Sequence, residues 1–319
     1  MKNKKFLTII AVVVISGLLL TAGAMAANPA GSAYEQFKTL LDQDHEKIEN
    51  VTVNVSMSVT DNGEAVAALD GSMKVDEQSN KMSGILQISG KTEKSFEIYK
   101  DNDDVLLHLA GSENWYKAVQ KDEESENKEE FGRRFGRDRR EDTVENKQLR
   151  EAFLDALMGD YKDQVRMTES NGLRTFSLSF DEGNMPILLQ TVFQLSDNHN
   201  EKEDVAPEDM SHLPQELQDA FADLKNCEYD VEFVDKKLER IEISITVDKQ
   251  NELRAMGMSM SCSGTDAEGA DHNLDVDFSM EISEVGTTIA DEADPDPEKI
   301  TTIDCDVLKD TGIRHRAND

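Results

Sequence analysis

Sulfur-bearing side chains recur at alternate positions in one segment of the sequence: Met256, Met258, Met260 and Cys262. A strand places alternate residues on one face, so the four sulfurs would share a surface. Thioethers and thiols bind Cu(I), whereas methionine also lines adaptable apolar surfaces. Alternate residues of a strand stand about 6.6 Å apart, so the sulfurs would have to leave packed positions to meet on one ion. The spacing favours an apolar lining over a copper site.

The other reactive residue types form no recognisable catalytic or metal-binding motif. The chain lacks G-x-S-x-G, H-E-x-x-H, G-x-G-x-x-G and Walker A patterns, and its six histidines are isolated. His108 falls on the outer face of a predicted strand, where we expect a solvated side chain. The acidic turn 101–104 lacks the glycine and the distal glutamate of an EF-hand loop, so a polar turn is favoured over a calcium site. The sequence predicts neither an enzyme nor a cofactor.

The cysteines give no disulfide framework. Cys227, Cys262 and Cys305 are odd in number and widely spaced, so at most one bridge can form within the chain. A zinc site made of these three residues has no supporting C-x-x-C or C-x-x-x-H spacing. We expect three buried or half-buried thiols.

The charge of the chain restricts its partners. With 66 acidic and 34 basic residues, the net charge is -32. Such a field repels nucleic acids and anionic lipid headgroups, so a nucleic-acid partner is excluded, whereas a basic protein partner is compatible with it.

The first residues predict export. Lys2, Lys4 and Lys5 precede an apolar core at 6–20, and small residues lead to the A-x-A site Ala24-Met25-Ala26. This is the layout of a signal peptide spanning residues 1–26, with cleavage after Ala24 as an alternative. The expected location is extracytoplasmic, either secreted or in the cell envelope. An uncleaved signal would be the one membrane attachment, because Ala24 occupies the position of a lipobox cysteine.

Alternating apolar residues predict two antiparallel blocks of strands. Residues 51–109 hold five strands, with Asn62-Gly63 as a hairpin turn. A hairpin at 164–180 turns at Asn171-Gly172, and a second block covers 229–282, with one strand ending at Phe233. About eleven strands result.

Four helices are predicted around these strands. They begin near Ser32, Leu149, Pro186 and Pro214, and Ser32 with Glu35 has the spacing of a capping box. Residues 121–147 are almost devoid of apolar side chains and predict a charged loop. The acidic segment 291–319 predicts a loosely ordered tail.

The predicted fold is α+β: one curved antiparallel sheet, an unclosed half-barrel, wrapped around a few helices in a single domain at 27–290. The order of elements across residues 33–285 resembles the LolA-like superfamily of exported bacterial lipid and lipoprotein carriers. Two segments are typical of it, Asp70–Val75 and Met256–Met260. The missing lipobox cysteine and the charged loop depart from the pattern of its members.

This resemblance implies an apolar cavity between sheet and helices. We expect residues on the apolar faces of the strands to line this cavity: Met57, Met73, Leu86, Met256, Met258, Met260, Phe278 and Met280. The predicted function is an exported, non-enzymatic binding protein for a lipid or another apolar ligand. The alternative is an acidic structural or interaction protein of the cell envelope, with a solid core and no ligand.

Overall fold

One large sheet dominates the computed structural model, which describes residues 32–41, 50–102, 104–119, 158–195, 213–226, 233 and 235–304. In these ranges the sheet has twelve strands, in the spatial order β12-β6-β5-β4-β3-β2-β1-β11-β10-β9-β8-β7. The strands are β1 Asn50–Asp61, β2 Glu64–Asp76, β3 Lys81–Ser89, β4 Glu93–Asp101, β5 Asp104–Leu109, β6 Trp115–Val119, β7 Arg166–Ser170, β8 Leu173–Asp181, β9 Lys237–Val247, β10 Leu253–Thr265, β11 Asp271–Ser283 and β12 Ile300–Asp304.

The sheet is an unclosed half-barrel, because β12 lies at one edge and β7 at the other. Neighbouring strands run antiparallel, except that β12 pairs with β6 in parallel. The two predicted blocks meet where β1 pairs with β11 along ten residue pairs. The predicted antiparallel, sheet-rich fold is confirmed.

Two hairpin turns form where the sequence predicted them. Asn62 and Gly63 join β1 to β2 with φ of 51° and 83°, and Asn171 and Gly172 join β7 to β8 with φ of 53° and 79°. Positive φ at both central residues defines the type I′ turn, whose twist matches that of antiparallel strands. These turns fix the register of the strands that they connect.

Three α-helices lie in the described ranges: α1 Ala33–Leu41, α2 Ile187–Leu195 and α3 Gln215–Asn226. They begin at the predicted signals. The Glu35 amide donates to Ser32 Oγ (3.3 Å), and Pro186 and Pro214 directly precede α2 and α3. In this part of the chain, no helix is long and apolar enough to cross a membrane.

The helices contact one face of the sheet, here called the inner face. Phe37 of α1 packs beside Phe176 and Met256. Phe193 of α2 belongs to a cluster on β1, β10 and β11. Leu217 of α3 packs against Tyr116 of β6 and Ile303 of β12. Both ends of the strand order therefore carry a helix.

Two strands were not anticipated, and they pair with each other. β6 is short, and β12 has two apolar residues, too few for a period of two to stand out. Ile303 is nevertheless buried beside Tyr116. Residues 300–304 thus extend the sheet in a segment where a loose tail was expected, because pairing with β6 and contact with α3 supply order that the local sequence does not encode.

The connection between β11 and β12 lies against the other face of the sheet, the outer face. Thr288 is buried, and its hydroxyl contacts the Thr52 hydroxyl (3.0 Å). Lys74 and Lys81 make ion pairs with Asp291 (2.9 Å) and Glu292 (2.5 Å). These contacts bury the outer side of β1 at Asn50 and Thr52.

Several predictions fall outside the described residues: the signal at 1–26, the loop at 121–147, residues 149–157 of the helix beginning near Leu149, and the strand at 229–232. Tyr161, the last apolar residue expected on that helix, lies in a short 3-10 helix, Gly159–Gln164. Phe233 is described, and it lies outside any strand, so the predicted strand does not extend to it. Cys227 and Cys305 also lie outside the described ranges.

Candidate functional site

All eight residues predicted to line a cavity lie on the inner face, on five adjacent strands. The ladder aligns Met256 with Met280 and Val55 in one cross-strand row, and Met258 with Phe278 and Met57 in the next. Met73 and Leu86 lie on the neighbouring strands β2 and β3, and Met260 extends β10. The period-two pattern therefore brings the predicted residues to one surface.

The eight residues divide into two groups by exposure. Met256, Met258, Met260 and Met280 are buried, with 3–9% of their surface exposed. Met256 and Met280 pack with Phe176 and Phe37, and Met260 packs in the cluster of Phe193. Met256, Met260 and Met280 therefore form core beneath α1 and α2.

The other four are partly exposed and continue into a larger surface. Met73 is 40% exposed, and Met57, Leu86 and Phe278 are half-buried. Two further half-buried residues, Leu69 and Ile88, occupy the same face. We call these six the apolar strip: Met57, Leu69, Met73, Leu86, Ile88 and Phe278. Leu69 and Ile88 follow the same alternation of apolar residues as Met73 and Leu86. The sequence pattern could therefore have predicted them as part of this surface.

The apolar strip lies between two packed regions of the inner face. On one side, α3 covers β5, β6 and β12 through clusters around Tyr116 and Phe96. On the other side, α1 and α2 cover β8 to β11. Within the described residues, Phe278 is the one member of the strip that touches a buried cluster. The strip is thus an apolar surface on strands whose neighbours on both sides are packed.

A groove of about 270 Å³ lies on the opposite, outer face, across β1, β11, β10 and β9. Its lining is mostly small and polar, and includes Ser56, Ser58, Glu242, Ser244, Gly257, Ser259, Asp277 and Ser279. Met258 and Phe278, two of the eight predicted residues, also border the groove, although strand alternation turns their side chains to the inner face. The Ser259 hydroxyl donates to Asp277, and beside the groove Ser261 Oγ donates to Asp275 Oδ1 (2.5 Å). Short hydroxyl side chains and carboxylates offer an apolar molecule no favourable contact, so this groove is not the predicted cavity.

A histidine lies between two carboxylates where the β1–β2 and β10–β11 turns meet. His272 Nδ1 is 2.7 Å from Asp61 Oδ2, and Nε2 is 3.4 Å from Asp266 Oδ2. The hydrogen bond with Asp61 raises the pKa of His272, although burial opposes this. Asp61 and His272 are 211 positions apart, so no local sequence pattern could indicate the pair.

This cluster predicts a pH-dependent stability. Because the folded pKa of His272 lies above the unfolded value of about 6.5, its contribution is fully present below pH 6.5 and is lost as the pH rises through the folded pKa. We expect His272→Gln to lower Tm by a few degrees near pH 5, and by progressively less at alkaline pH. Thermal unfolding followed by circular dichroism across this range measures the difference. An equal loss at every pH would assign His272 a packing role only.

His108 is not the solvated residue that was expected. Its ring stacks on Trp115 with centroids 4.4 Å apart. Its Nδ1 lies 3.2 Å from Glu97 Oε2, and its Nε2 lies 3.1 Å from the Ser112 carbonyl oxygen. The strand pairing sets Trp115 directly opposite His108, which the sequence alone could not show because β6 was not predicted. His108 is therefore a packed residue of the outer face.

The sulfur residues of β10 pack as core. Burial raises the pKa of the Cys262 thiol to about 12, so this sulfur stays protonated at neutral pH and is a poor metal ligand. Within the described ranges, no group of three or more His, Cys, Asp or Glu side chains is arranged to hold a metal ion. Met256, Met258 and Met260 have apolar neighbours instead, including Ile245 and Val276.

Replacing Met256, Met258 and Met260 together by leucine tests the assignment of these residues to the core. The swap nearly conserves side-chain volume, so we expect a loss of less than about 1.5 kcal/mol per site in urea unfolding. We also expect no change in Cu(I) affinity, measured by competition with a chromogenic chelator. Tight Cu(I) binding that disappears in the triple variant would instead identify a copper site.

Comparison of the sequence with protein-family models gave no matching family, and comparison with curated proteins gave no matching relative. The similarity to the LolA-like superfamily stays a prediction from the sequence pattern. The geometry of the apolar strip is the observation from which a function can be inferred.

Proposed function

We propose that this chain is an exported, non-enzymatic binding protein that holds the acyl chain of a lipid against the apolar strip. The observation that carries the proposal is the partial exposure of six apolar side chains on the face of the sheet that elsewhere packs against helices. In this proposal the sheet wraps around the helices and leaves the strip as the lining of a cavity.

The physical basis is the free energy of covering apolar surface. Burying apolar area stabilises a complex by about 25 cal/mol per Å². The strip offers flexible methionines at Met57 and Met73, whose thioethers adapt to a chain without fixed shape. Acyl chains form no directional contacts, so a surface without polar partners suits them. The buried methionines on β10 and β11 then serve as the rigid support of the site.

The distribution of polar residues supports this choice of face. The outer face of β1, β9, β10 and β11 carries serines and carboxylates that satisfy one another, as Ser261 and Asp275 do. The inner positions of β3, from Met82 to Ile88, are apolar or glycine. Across β1 and β9 to β11, the inner face is therefore the one that suits an apolar ligand.

The predicted export and the negative net charge of the chain are part of the same proposal. Removal of residues 1–26 would take away three lysines and no acid, leaving a net charge of -35. A surface of this charge keeps a carrier soluble outside the cytoplasm while its apolar site remains available. The outer face would be available to a basic protein partner.

Native mass spectrometry of gently purified protein tests the proposal, together with titration of a fluorescent fatty acid. We expect a bound mass in the lipid range and saturable uptake of the probe at one site. A clean apo mass together with no uptake would overturn the proposal, and would favour the acidic envelope protein with a solid core.

A further inference from the structure

We infer that the ligand is a long-chain fatty acid whose carboxylate is bound by Lys100 at the rim of the inner face. This inference rests on the proposed function, because it adds a headgroup contact to the same apolar strip. It commits to a single-chain lipid with one negative charge.

Lys100 of β4 lies on the inner face beside the apolar strip. It pairs with Met82 of β3, which in turn pairs with Val75 of β2. In the next cross-strand row, two residues along, Met73 pairs with Gly84. Paired residues of antiparallel strands share a face, so Lys100 lies two strand spacings from Met73, the most exposed member of the strip at 40%.

The ammonium group of Lys100 lies at the rim and retains hydrogen-bond donors for a ligand. Its Nζ donates to Asn80 Oδ1 (3.3 Å) in the turn between β2 and β3. An ammonium has three N–H donors, and a neutral amide oxygen leaves its charge uncompensated. Among the described residues, no carboxylate forms an ion pair with Lys100. Because the side chain is half-buried, its methylene stem lies along apolar surface while the charged end reaches water.

The acidic residues that end the strands at this rim belong to the outer face and have partners of their own. These are Asp76 with Ser79 (2.6 Å), Asp101 with Lys81 (3.6 Å), and Asp104 with Lys117 (2.8 Å). Lys100 is therefore the charge that the inner face presents here. One ammonium balances a monovalent carboxylate, whereas a phosphate monoester would keep excess negative charge close to these acids.

An apolar path leads from Lys100 diagonally across the inner face. Each step moves one strand and two residues, first to Gly84, then to Gly71 and then to Met57. The surface stays apolar at the glycines because neighbouring side chains close over them. A Cβ at Gly71, for example, would lie 3.0 Å from Val55 Cγ2.

The path ends in the central row of the apolar strip, formed by Phe278, Met57, Leu69 and Ile88. Three diagonal steps from Lys100 to this row span about 25 Å, a distance that suits a long acyl chain. The inner positions of β2 from Leu69 to Val75, and of β3 from Met82 to Ile88, are apolar or glycine. An acyl chain extending inward from the rim therefore meets no polar side chain on these two strands.

The test compares hexadecanoic acid with hexadecanol, which has the same chain and no charge. Affinities are measured by isothermal titration calorimetry for the wild type, for Lys100→Gln and Lys100→Arg, and for Lys91→Gln as the matched control. Lys91 is exposed in the β3–β4 turn, at the opposite end of β4, so its substitution makes the same change in net charge away from the rim. We expect Lys100→Gln to lower the affinity for the acid about tenfold and to leave the alcohol unaffected. Lys100→Arg and Lys91→Gln should bind both molecules as the wild type does.

The outcomes separate the headgroup from the proposed function. If the wild type binds acid and alcohol and Lys100→Gln changes neither affinity, the headgroup inference is overturned and the apolar site stands. Equal weakening of acid and alcohol by Lys100→Gln would assign Lys100 a structural role, and equal weakening of the acid by Lys91→Gln would indicate a general charge effect. Either result also overturns the inference. If the wild type binds neither molecule, the proposed function itself fails.

Discussion

Replacing Leu69 by aspartate is expected to lower the affinity for hexadecanoic acid at least about a hundredfold. Leu69 lies in the middle of the row from Phe278 to Ile88, so a bound acyl chain would cover it. A carboxylate there would lose its hydration without gaining a polar partner, which costs several kcal/mol, and about 2.7 kcal/mol already corresponds to a hundredfold change. Because Leu69 is half-buried before binding, the free protein should tolerate the substitution.

Ala68→Asp is the matched control for this variant. Ala68 is the adjacent residue of β2, and alternation places it on the outer face, opposite Ser58 and Ser89. It should fold and bind as the wild type does, and circular dichroism should show equal secondary structure in both variants. Equal loss of binding from Leu69→Asp and Ala68→Asp, with both variants folded, would remove the site from the inner face.

Phe176→Ala is expected to have the largest effect on stability. Its ring is 1% exposed and packs among Ile245, Val247 and Met256 beneath Phe37. Truncating a fully buried phenylalanine removes its transfer free energy and leaves a cavity, a loss of about 3–5 kcal/mol. Urea unfolding monitored by circular dichroism should show a lower midpoint with an unchanged slope.

Phe278→Ala makes the same chemical change in the apolar strip. Its ring is half-buried, so less surface returns to water and a smaller cavity results. We expect a loss of about 1 kcal/mol from the free protein, together with weaker fatty-acid binding. Equal losses of stability from the two variants would mean that Phe278 belongs to a closed core, which would contradict an open strip.

The period-two pattern and the turn residues carried most of the information about the sheet. Asn62-Gly63 and Asn171-Gly172 specify type I′ turns by their tolerance of positive φ, and the turns then fix the strand register. Once β1 and β11 pair, the alternation alone puts Met57 and Phe278 on one face. The surface that carries the candidate site was therefore predictable.

Contacts between distant parts of the chain could not be predicted from the sequence. β12 is specified by β6 and by Leu217 of α3, and its own five residues have no strong pattern. His108 packs because Trp115 pairs opposite it, and His272 meets Asp61 only through the folded sheet. The alternation likewise could not separate buried Met256 from half-buried Met57, because contact with helix residues such as Phe37, and not the strand pattern, decides which of them is buried.

The most direct test of the central claim uses methionine methyl groups as reporters. The protein is labelled with ¹³C at the methionine methyls and titrated with a fatty acid that carries a nitroxide on its acyl chain. Binding along the strip predicts strong broadening of the Met57 signal, while buried Met158 and Met185, outside the strip, broaden far less. Broadening that spares Met57, or that affects all methionines alike, would contradict binding at the apolar strip.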